Sequence, residues 1–152
     1  MNKMIAFFVA IISMIAFMRF NPDAISMDGC EKVVVVTENQ YENLDENPIK
    51  NGADFYHVLT GEKIKYFADN MSNISYKGLS LYYNKDFKLG DFEKMFSAQI
   101  NSGSGVDGYE IYYGYCPKYK DCRQINGKKI NLQLVKTDDG WIAGFPLILT
   151  GF

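Results

Sequence analysis

Alternating apolar and polar residues predict β-strands in the second half of the chain. Within Ser75–Tyr83, Leu79 and Leu81 alternate with small or polar residues, and the same period of two runs through Tyr109–Tyr115 and Lys129–Lys136. Because alternate residues of a strand face the same side of a sheet, each segment is expected to turn one face toward a core.

Continuous apolar runs predict two further strands. The β-branched run Val33–Val36 is typical of a buried strand. Trp141–Leu149 is the last apolar run, in which Trp141, Phe145 and Leu147 share one parity. We therefore expect these three side chains to pack inward against a helix.

Apolar residues spaced three or four apart predict two helices. In Lys88–Gln99, Phe92 and Phe96 lie on one apolar face, which is the expected partner of the last strand. Glu62–Met71 shows the same spacing, although Thr60-Gly61 before it could also form the turn of a β-hairpin. We favour a helix for this segment.

Turn-forming residues separate these elements. They lie in the segments Glu38–Gly52, Asn101–Gly108, Asn126-Gly127 and Asp138-Asp139-Gly140. The order of strands, helices and turns predicts a single α+β domain with a two-layer architecture, in which helices cover one face of an antiparallel sheet.

The other face of that sheet is expected to be open and polar. Tyrosine rings and amide groups on an open sheet can stack on a polar ligand and form hydrogen bonds with it. The candidate binding residues are Tyr76, Tyr82, Tyr112, Asn131 and Gln133. Because tyrosine is also common in strands for structural reasons, a purely structural role is the alternative.

The N-terminal segment is typical of a secretory signal. Lys3 precedes a charge-free apolar run, Met4–Met18, which is shorter than the roughly 20 residues of a membrane span. Ala24-Ile25-Ser26 has the spacing of small residues found before a cleavage site. The sequence thus predicts a signal peptide over residues 1–26 and one domain over residues 27–152. An uncleaved anchor through the apolar run is the alternative.

Charge argues against a nucleic-acid partner. The chain has 16 basic and 18 acidic residues, whereas nucleic-acid phosphates favour a clear basic excess. The charges are unevenly distributed, since Glu38–Asp54 is acidic and Lys118–Lys129 is basic. Both segments fit solvated loops, and the basic one also fits a rim beside a site for an anionic component of the cell envelope.

Cysteine and histidine offer few catalytic or metal sites. Cys116 and Cys122 bracket a short loop and are predicted to form a disulfide, which leaves Cys30 free. The cysteine spacing does not match a zinc site, and His57 is the single histidine. No metal or other cofactor is expected. The one nucleophilic pairing available is His57 with Cys116 or Cys122.

Three segments near the C-terminus form a recognisable pattern: Tyr113-Gly114-Tyr115-Cys116-Pro117, Gly127–Gln133 and Gly144–Ile148. Over about residues 75–152 the chain resembles the YwmB family of exported Gram-positive proteins. The resemblance implies a TATA-box-binding-protein-like fold, with a curved sheet and helices on one face, and it supplies no catalytic residues. It does not imply DNA binding, and Cys116 stands where a threonine-like residue is expected.

These observations lead to two hypotheses of different classes. The first is an exported, non-catalytic binding or accessory module of the cell envelope, with an envelope polymer or envelope protein as its partner. The second is a secreted hydrolase or thiol enzyme whose site has no recognisable motif.

Overall fold

The chain forms an α+β fold built on an antiparallel sheet. The computed structural model describes residues 24–101 and 103–149, so the apolar leader over residues 4–18 lies outside the described residues. This part contains helices α1 (Glu62–Asn70) and α2 (Leu89–Phe96) and a 3-10 turn at Met71–Asn73. Neither of these described helices is long and apolar enough to span a membrane. The strands are β1 (Lys32–Thr37), β2 (Ile49–Asn51), β3 (Asp54–Leu59), β4 (Gly78–Asn84), β5 (Gln99–Ile100), β6 (Ser104–Val106), β7 (Tyr109–Tyr115), β8 (Arg123–Ile125), β9 (Lys128–Ile130), β10 (Leu132–Thr137) and β11 (Gly140–Phe145).

The strands are ordered differently in the sheet and in the chain. Neighbours follow the order β2-β3-β1-β4-β11-β10-β7-β5, β6 also pairs with β7, and all these pairs are antiparallel. The last strand, β11, therefore lies between β4 and β10. β8 and β9 form a separate hairpin, and its predicted Asn126-Gly127 turn is confirmed by positive φ angles at both residues.

One face of the sheet, which we call the helix side, carries the hydrophobic core. Both predicted helices are confirmed, and their buried residues Phe67, Phe92 and Phe96 pack with side chains from β1, β4, β10 and β11. The ring centroid of Trp141 lies 5.4 Å from that of Phe92, and Phe145 lies 5.0 Å from Phe96. These contacts confirm the inward packing that the shared parity of Trp141 and Phe145 predicts.

The opposite face is not open at its centre. Val34, Val135 and Ile142 point to this side, and their exposed fractions are only 6%, 0% and 6%. This burial differs from the polar, solvent-exposed face that the sequence predicts. We call this face the tail side, because the C-terminal part of the chain returns across it.

The tail begins inside the segment predicted as the last strand. β11 ends at Phe145, whereas the apolar run predicts a strand as far as Leu149. Leu147 therefore lies past the strand, is half-buried and does not belong to the helix-side core, so its predicted inward packing is wrong. The tail crosses the sheet so closely that a Cβ on Gly144 would collide with the backbone of Ile148.

Two other predicted segments are also adjusted. The strand predicted over Lys129–Lys136 is divided at Asn131, where β9 ends and β10 begins. The predicted exposed loop Glu38–Gly52 contains the short strand β2, and it places Leu44 in the core with an exposed fraction of 1%.

Candidate functional site

The five predicted binding residues do not share one face of the sheet. Tyr82 and Gln133 lie on the tail side, whereas Tyr112 lies on the helix side. Tyr76 precedes β4, and Asn131 separates β9 from β10. The structure therefore distributes these residues over several locations.

Tyr112 packs on the helix side, opposite to the predicted side. It pairs across the sheet with Leu134, whose side chain belongs to the core. The ring centroid of Tyr112 is 6.0 Å from that of Trp141, and its hydroxyl donates a hydrogen bond to Glu110 Oε2 at 2.8 Å. That hydrogen bond lowers the pKa of the Glu110 carboxyl. Tyr112 is thus part of the packing around Trp141 rather than of an open face.

Asn131 and Gln133 hold neighbouring segments of backbone. Asn131 is fully buried; its Oδ1 accepts a hydrogen bond from the N–H of Cys116 at 2.6 Å. Its Nδ2 donates to the carbonyls of Cys116 at 2.9 Å and Tyr119 at 2.8 Å. Gln133 Oε1 accepts a hydrogen bond from the tail N–H of Ile148 at 3.0 Å. Both amides therefore hold backbone in place, and the Cys116 carbonyl also accepts a hydrogen bond from the Tyr119 N–H at 3.2 Å.

Tyr76 lines a concave site that we call the tyrosine–lysine cavity. Its volume is about 390 Å³, and its lining includes Ser72, Tyr76, Lys118, Tyr119 and Asp121. The first two residues come from the 3-10 turn and the segment before β4, and the other three from the loop after β7. The buried side chain of Asn131 holds this loop through its hydrogen bonds to Cys116 and Tyr119, and it thereby helps to set the shape of the cavity wall.

The two phenol rings of the cavity are held from behind. The ring of Tyr76 packs edge-on against Phe67 with centroids 5.9 Å apart, and that of Tyr119 lies 5.5 Å from Phe145. Neither hydroxyl forms a hydrogen bond with another described residue. The rings are thus anchored in the core, while their hydroxyls are available to a ligand in the cavity.

The cavity combines hydrogen-bond donors with one acidic group. Burial and the negative charge of Asp121 raise the pKa of both Tyr76 and Tyr119, so both phenols keep their protons. Burial raises the pKa of the Cys116 thiol, and the nearby Lys118 opposes part of this shift. The site therefore offers hydroxyl donors, an ammonium group and a carboxylate acceptor.

A basic hairpin follows the cavity loop in the chain. The β8–β9 hairpin begins just after Asp121 and carries the exposed residues Arg123, Lys128 and Lys129. The basic rim, one interpretation of the segment Lys118–Lys129, stays a prediction. Such a rim raises the local concentration of anions at moderate salt.

A second groove lies on the tail side around Tyr82. Its volume is about 570 Å³, and its lining includes Glu31, Lys32, Tyr82, Tyr109 and Asp139. The Nζ atom of Lys32 lies 3.8 Å from the ring centroid of Tyr82, and both tyrosines make further interactions. Because its aromatic groups are already engaged, this groove is a weaker candidate than the tyrosine–lysine cavity.

The predicted disulfide is absent, since all three cysteines are free thiols. Cys116 is fully buried and its Sγ donates to the carbonyl of Phe96 at 3.2 Å, whereas Cys122 is exposed. The two side chains occupy different environments, which explains why the short loop does not close through sulfur. Cys30 is half-buried, and burial raises the pKa of its thiol to about 11.

The sheet separates His57 from Cys116. His57 lies on β3, Cys116 follows β7, and four strands of the described sheet lie between them. Since neighbouring strands are about 4.8 Å apart, the five spacings from β3 to β7 separate the two residues by roughly 24 Å across the sheet. The Cys116–His57 pairing considered from the sequence is therefore not formed.

His57 instead belongs to a buried hydrogen-bond chain. Its Nε2 lies 3.0 Å from Thr37 Oγ1, which itself donates to the carbonyl of Asn39 at 2.6 Å. Because the threonine hydroxyl has a single proton, Nε2 must carry the imidazole proton. The remaining nitrogen, Nδ1, is buried and has no partner among the described residues.

Sequence reasoning did not single out Tyr119 and Ser72. An aromatic residue between two basic ones, Lys118-Tyr119-Lys120, is the local signal that could have identified Tyr119. Ser72 has no comparable signal, because only the 3-10 turn and the chain packing bring it to the cavity.

No known family or metal centre accounts for the site. Among the described residues, no group of three or more His, Cys, Asp or Glu side chains could hold a metal ion. The resemblance to the YwmB family stays a prediction. Comparisons with family profiles, with curated proteins and with solved structures found no match to this chain.

Proposed function

We propose that this protein is an exported, non-catalytic binding or accessory module of the cell envelope, and that the tyrosine–lysine cavity is its ligand site. One observation carries the proposal: Tyr76, Tyr119 and Lys118 line one cavity, and neither tyrosine hydroxyl is bonded to a described residue. A few convergent polar groups in a preformed concavity are the usual signature of a small-ligand site.

The order of the cavity wall supports binding. Ring contacts fix both tyrosines, and the three hydrogen bonds of Asn131 fix the loop that carries Lys118. Such a preorganised site loses little conformational entropy when a ligand binds.

Export is supported by the N-terminal sequence. Residues 4–18 have the length and composition of a signal core, and Ala24, shortly after them, lines the cavity. A retained leader would hold the cavity near a membrane surface, and a removed leader would release the domain. The proposal includes a two-layer arrangement of helices and sheet, and an envelope polymer or envelope protein as partner.

Fractionation of cells that produce the full chain tests the export step. We expect the protein in the envelope or the medium. Recovery in the cytoplasm alone would contradict the proposal.

Co-sedimentation with purified envelope material tests the binding step. The double variant Tyr76→Phe/Lys118→Gln should bind less than the native chain, because it lacks one hydroxyl and the ammonium of the cavity. Lys50→Gln, which removes an equal charge from β2 at the opposite edge of the sheet, is the matched control and should retain most of the binding. Equal binding by the native chain and the double variant would reject the cavity as the site.

A further inference from the structure

We infer that the tyrosine–lysine cavity recognises a phosphorylated polyol, with its phosphate held by Lys118 and the phenol hydroxyls and its hydroxyl groups held by Asp121. This inference rests on the proposed function, since it names the ligand class of the same site.

The donors of the cavity favour an oxyanion. Lys118 offers an ammonium group, while Tyr76, Tyr119 and Ser72 offer hydroxyl protons. Hydrogen bonds to an ionised acceptor are stronger than neutral ones, and a phosphate has enough oxygen atoms to accept several at once. A neutral sugar alone would leave the ammonium without a charged partner.

Asp121 excludes a bare phosphate as the preferred ligand. Its carboxylate lies in the same lining and would repel an anion that fills the whole cavity. The same carboxylate is a strong acceptor for hydroxyl protons. A ligand that carries a phosphate at one end and hydroxyl groups at the other satisfies both Lys118 and Asp121.

The size and surroundings of the cavity agree with such a ligand. A volume of about 390 Å³ is at the small end of the usual range for ligand pockets. The β8–β9 hairpin, which follows the cavity loop in the chain, exposes Arg123, Lys128 and Lys129, whose charge attracts anions.

Calorimetric titration tests this inference directly. The full chain is purified in detergent and titrated with glycerol phosphate, inorganic phosphate and glycerol. We expect glycerol phosphate to bind more tightly than inorganic phosphate, and glycerol to bind most weakly. Equal affinity for the first two ligands would overturn the inference.

Two variants separate the roles of the charged groups. Lys118→Gln should weaken glycerol phosphate binding by roughly tenfold, because a hydrogen bond between charged groups is lost. Asp121→Asn should strengthen inorganic phosphate binding and reduce the preference for glycerol phosphate. Lys50→Gln is the control and should change either affinity by less than about twofold, because Lys50 is exposed on β2, at the other end of the sheet from β7. An unchanged affinity in Lys118→Gln, or an unchanged preference in Asp121→Asn, would overturn the assignment.

Vesicles distinguish a lipid headgroup from a soluble source of the same chemistry. Stronger binding to phosphatidylglycerol than to phosphatidylcholine vesicles, lost in Lys118→Gln, would assign the headgroup. Binding of free glycerol phosphate without this vesicle preference would assign a soluble ligand, and binding of neither would overturn the inference. If the native chain co-sediments with envelope material and the cavity variant does not, but glycerol phosphate fails to bind, this inference is wrong and the proposed function still stands. A cytoplasmic location would reject that function whatever the titration gives.

Discussion

Asn131 holds Cys116 through both backbone groups of that residue. Its Oδ1 accepts the Cys116 N–H at 2.6 Å and its Nδ2 donates to the Cys116 carbonyl at 2.9 Å. The same Nδ2 also reaches the carbonyl of Tyr119 at 2.8 Å. One side chain between β9 and β10 therefore determines the shape of the loop that forms one wall of the tyrosine–lysine cavity.

Replacing Asn131 should both destabilise the fold and impair the cavity. Asn131→Ala leaves the Cys116 N–H and the Tyr119 carbonyl without this partner, and the Cys116 carbonyl keeps only the Tyr119 N–H, so we expect a loss of about 3 kcal/mol in the free energy of unfolding. Gln133→Ala removes one hydrogen bond at a half-buried position and should cost about 1 kcal/mol. Urea denaturation of both variants measures the difference. Similar losses would show that the loop does not depend on Asn131.

Trp141 and Tyr112 should be energetically coupled. Trp141→Ala leaves a large cavity in the core and should cost ~3–5 kcal/mol. Tyr112→Ala should cost less, because this ring is only half-buried. Since the two rings are in contact on the helix side, a double-mutant cycle should give a coupling of about 0.5–1.5 kcal/mol. Strictly additive effects would place the rings on opposite faces, as the sequence suggests.

The exported chain should retain Ile25. This residue is 3% exposed and belongs to the core, so a cut after Ser26 would remove a buried side chain. We expect a chain of residues 27–152 to be less stable than one of residues 24–152 by about 3 kcal/mol, the usual cost of losing a buried isoleucine. Denaturation compares the two chains, and N-terminal sequencing identifies the exported form. An exported form that starts at Met27 with undiminished stability would refute this expectation.

Acidification should destabilise the protein through His57. Burial lowers the pKa of His57 below its ordinary value of 6.5, although the Asn39 carbonyl and Asp45 partly oppose this effect. The unfolded chain therefore takes up a proton at a higher pH than the folded chain does. The stability contributed by neutral His57 is complete above about pH 6.5 and is lost as the pH falls from there through the lower folded-state pKa.

A variant isolates this contribution. His57→Gln should remove this contribution to the pH dependence of the unfolding free energy. Contributions from groups that are present in both chains should remain. Denaturation curves measured at intervals from neutral to mildly acidic pH provide the comparison. Parallel pH profiles for the native chain and the variant would contradict the assignment.

The three thiols should differ in reactivity in the folded protein. Cys122 is exposed, whereas Cys116 is fully buried and the pKa of half-buried Cys30 is raised to about 11. We expect an alkylating reagent to modify Cys122 rapidly and the other two thiols only after unfolding. Mass spectrometry of the native chain and of Cys122→Ser measures this order. Absence of a rapidly modified thiol in the native chain would indicate that Cys122 is bonded.

Local periodicity predicts the elements whose packing is determined by their own sequence. The alternation in Tyr109–Tyr115 gives β7 with the same bounds, and the spacing of Phe92 and Phe96 identifies α2. Each of these segments has one apolar face, which is sufficient to specify both its conformation and the side that it buries.

The arrangement of the elements and the site depends on contacts distant in sequence. Residues 141–149 are continuously apolar, and nothing in them indicates that the strand ends at Phe145 and that Ile148 then lies over Gly144 on the opposite face. Tyr76 and Tyr119 meet because a buried amide at position 131 holds a distant loop. The wrong side assigned to Tyr112 has the same origin, since parity within a strand gives two faces without stating which one the helices cover.

The position of β11 also constrains when the domain can form during synthesis. Strands β1 to β4 emerge first, but one edge of β4 has no partner until Gly140–Phe145 has been made. In the described sheet, β10 and β7 are likewise connected to strands β1 to β4 only through β11. Closure of the sheet therefore has to wait until Phe145 has left the ribosome, and until then the nascent chain keeps this edge of β4 unpaired.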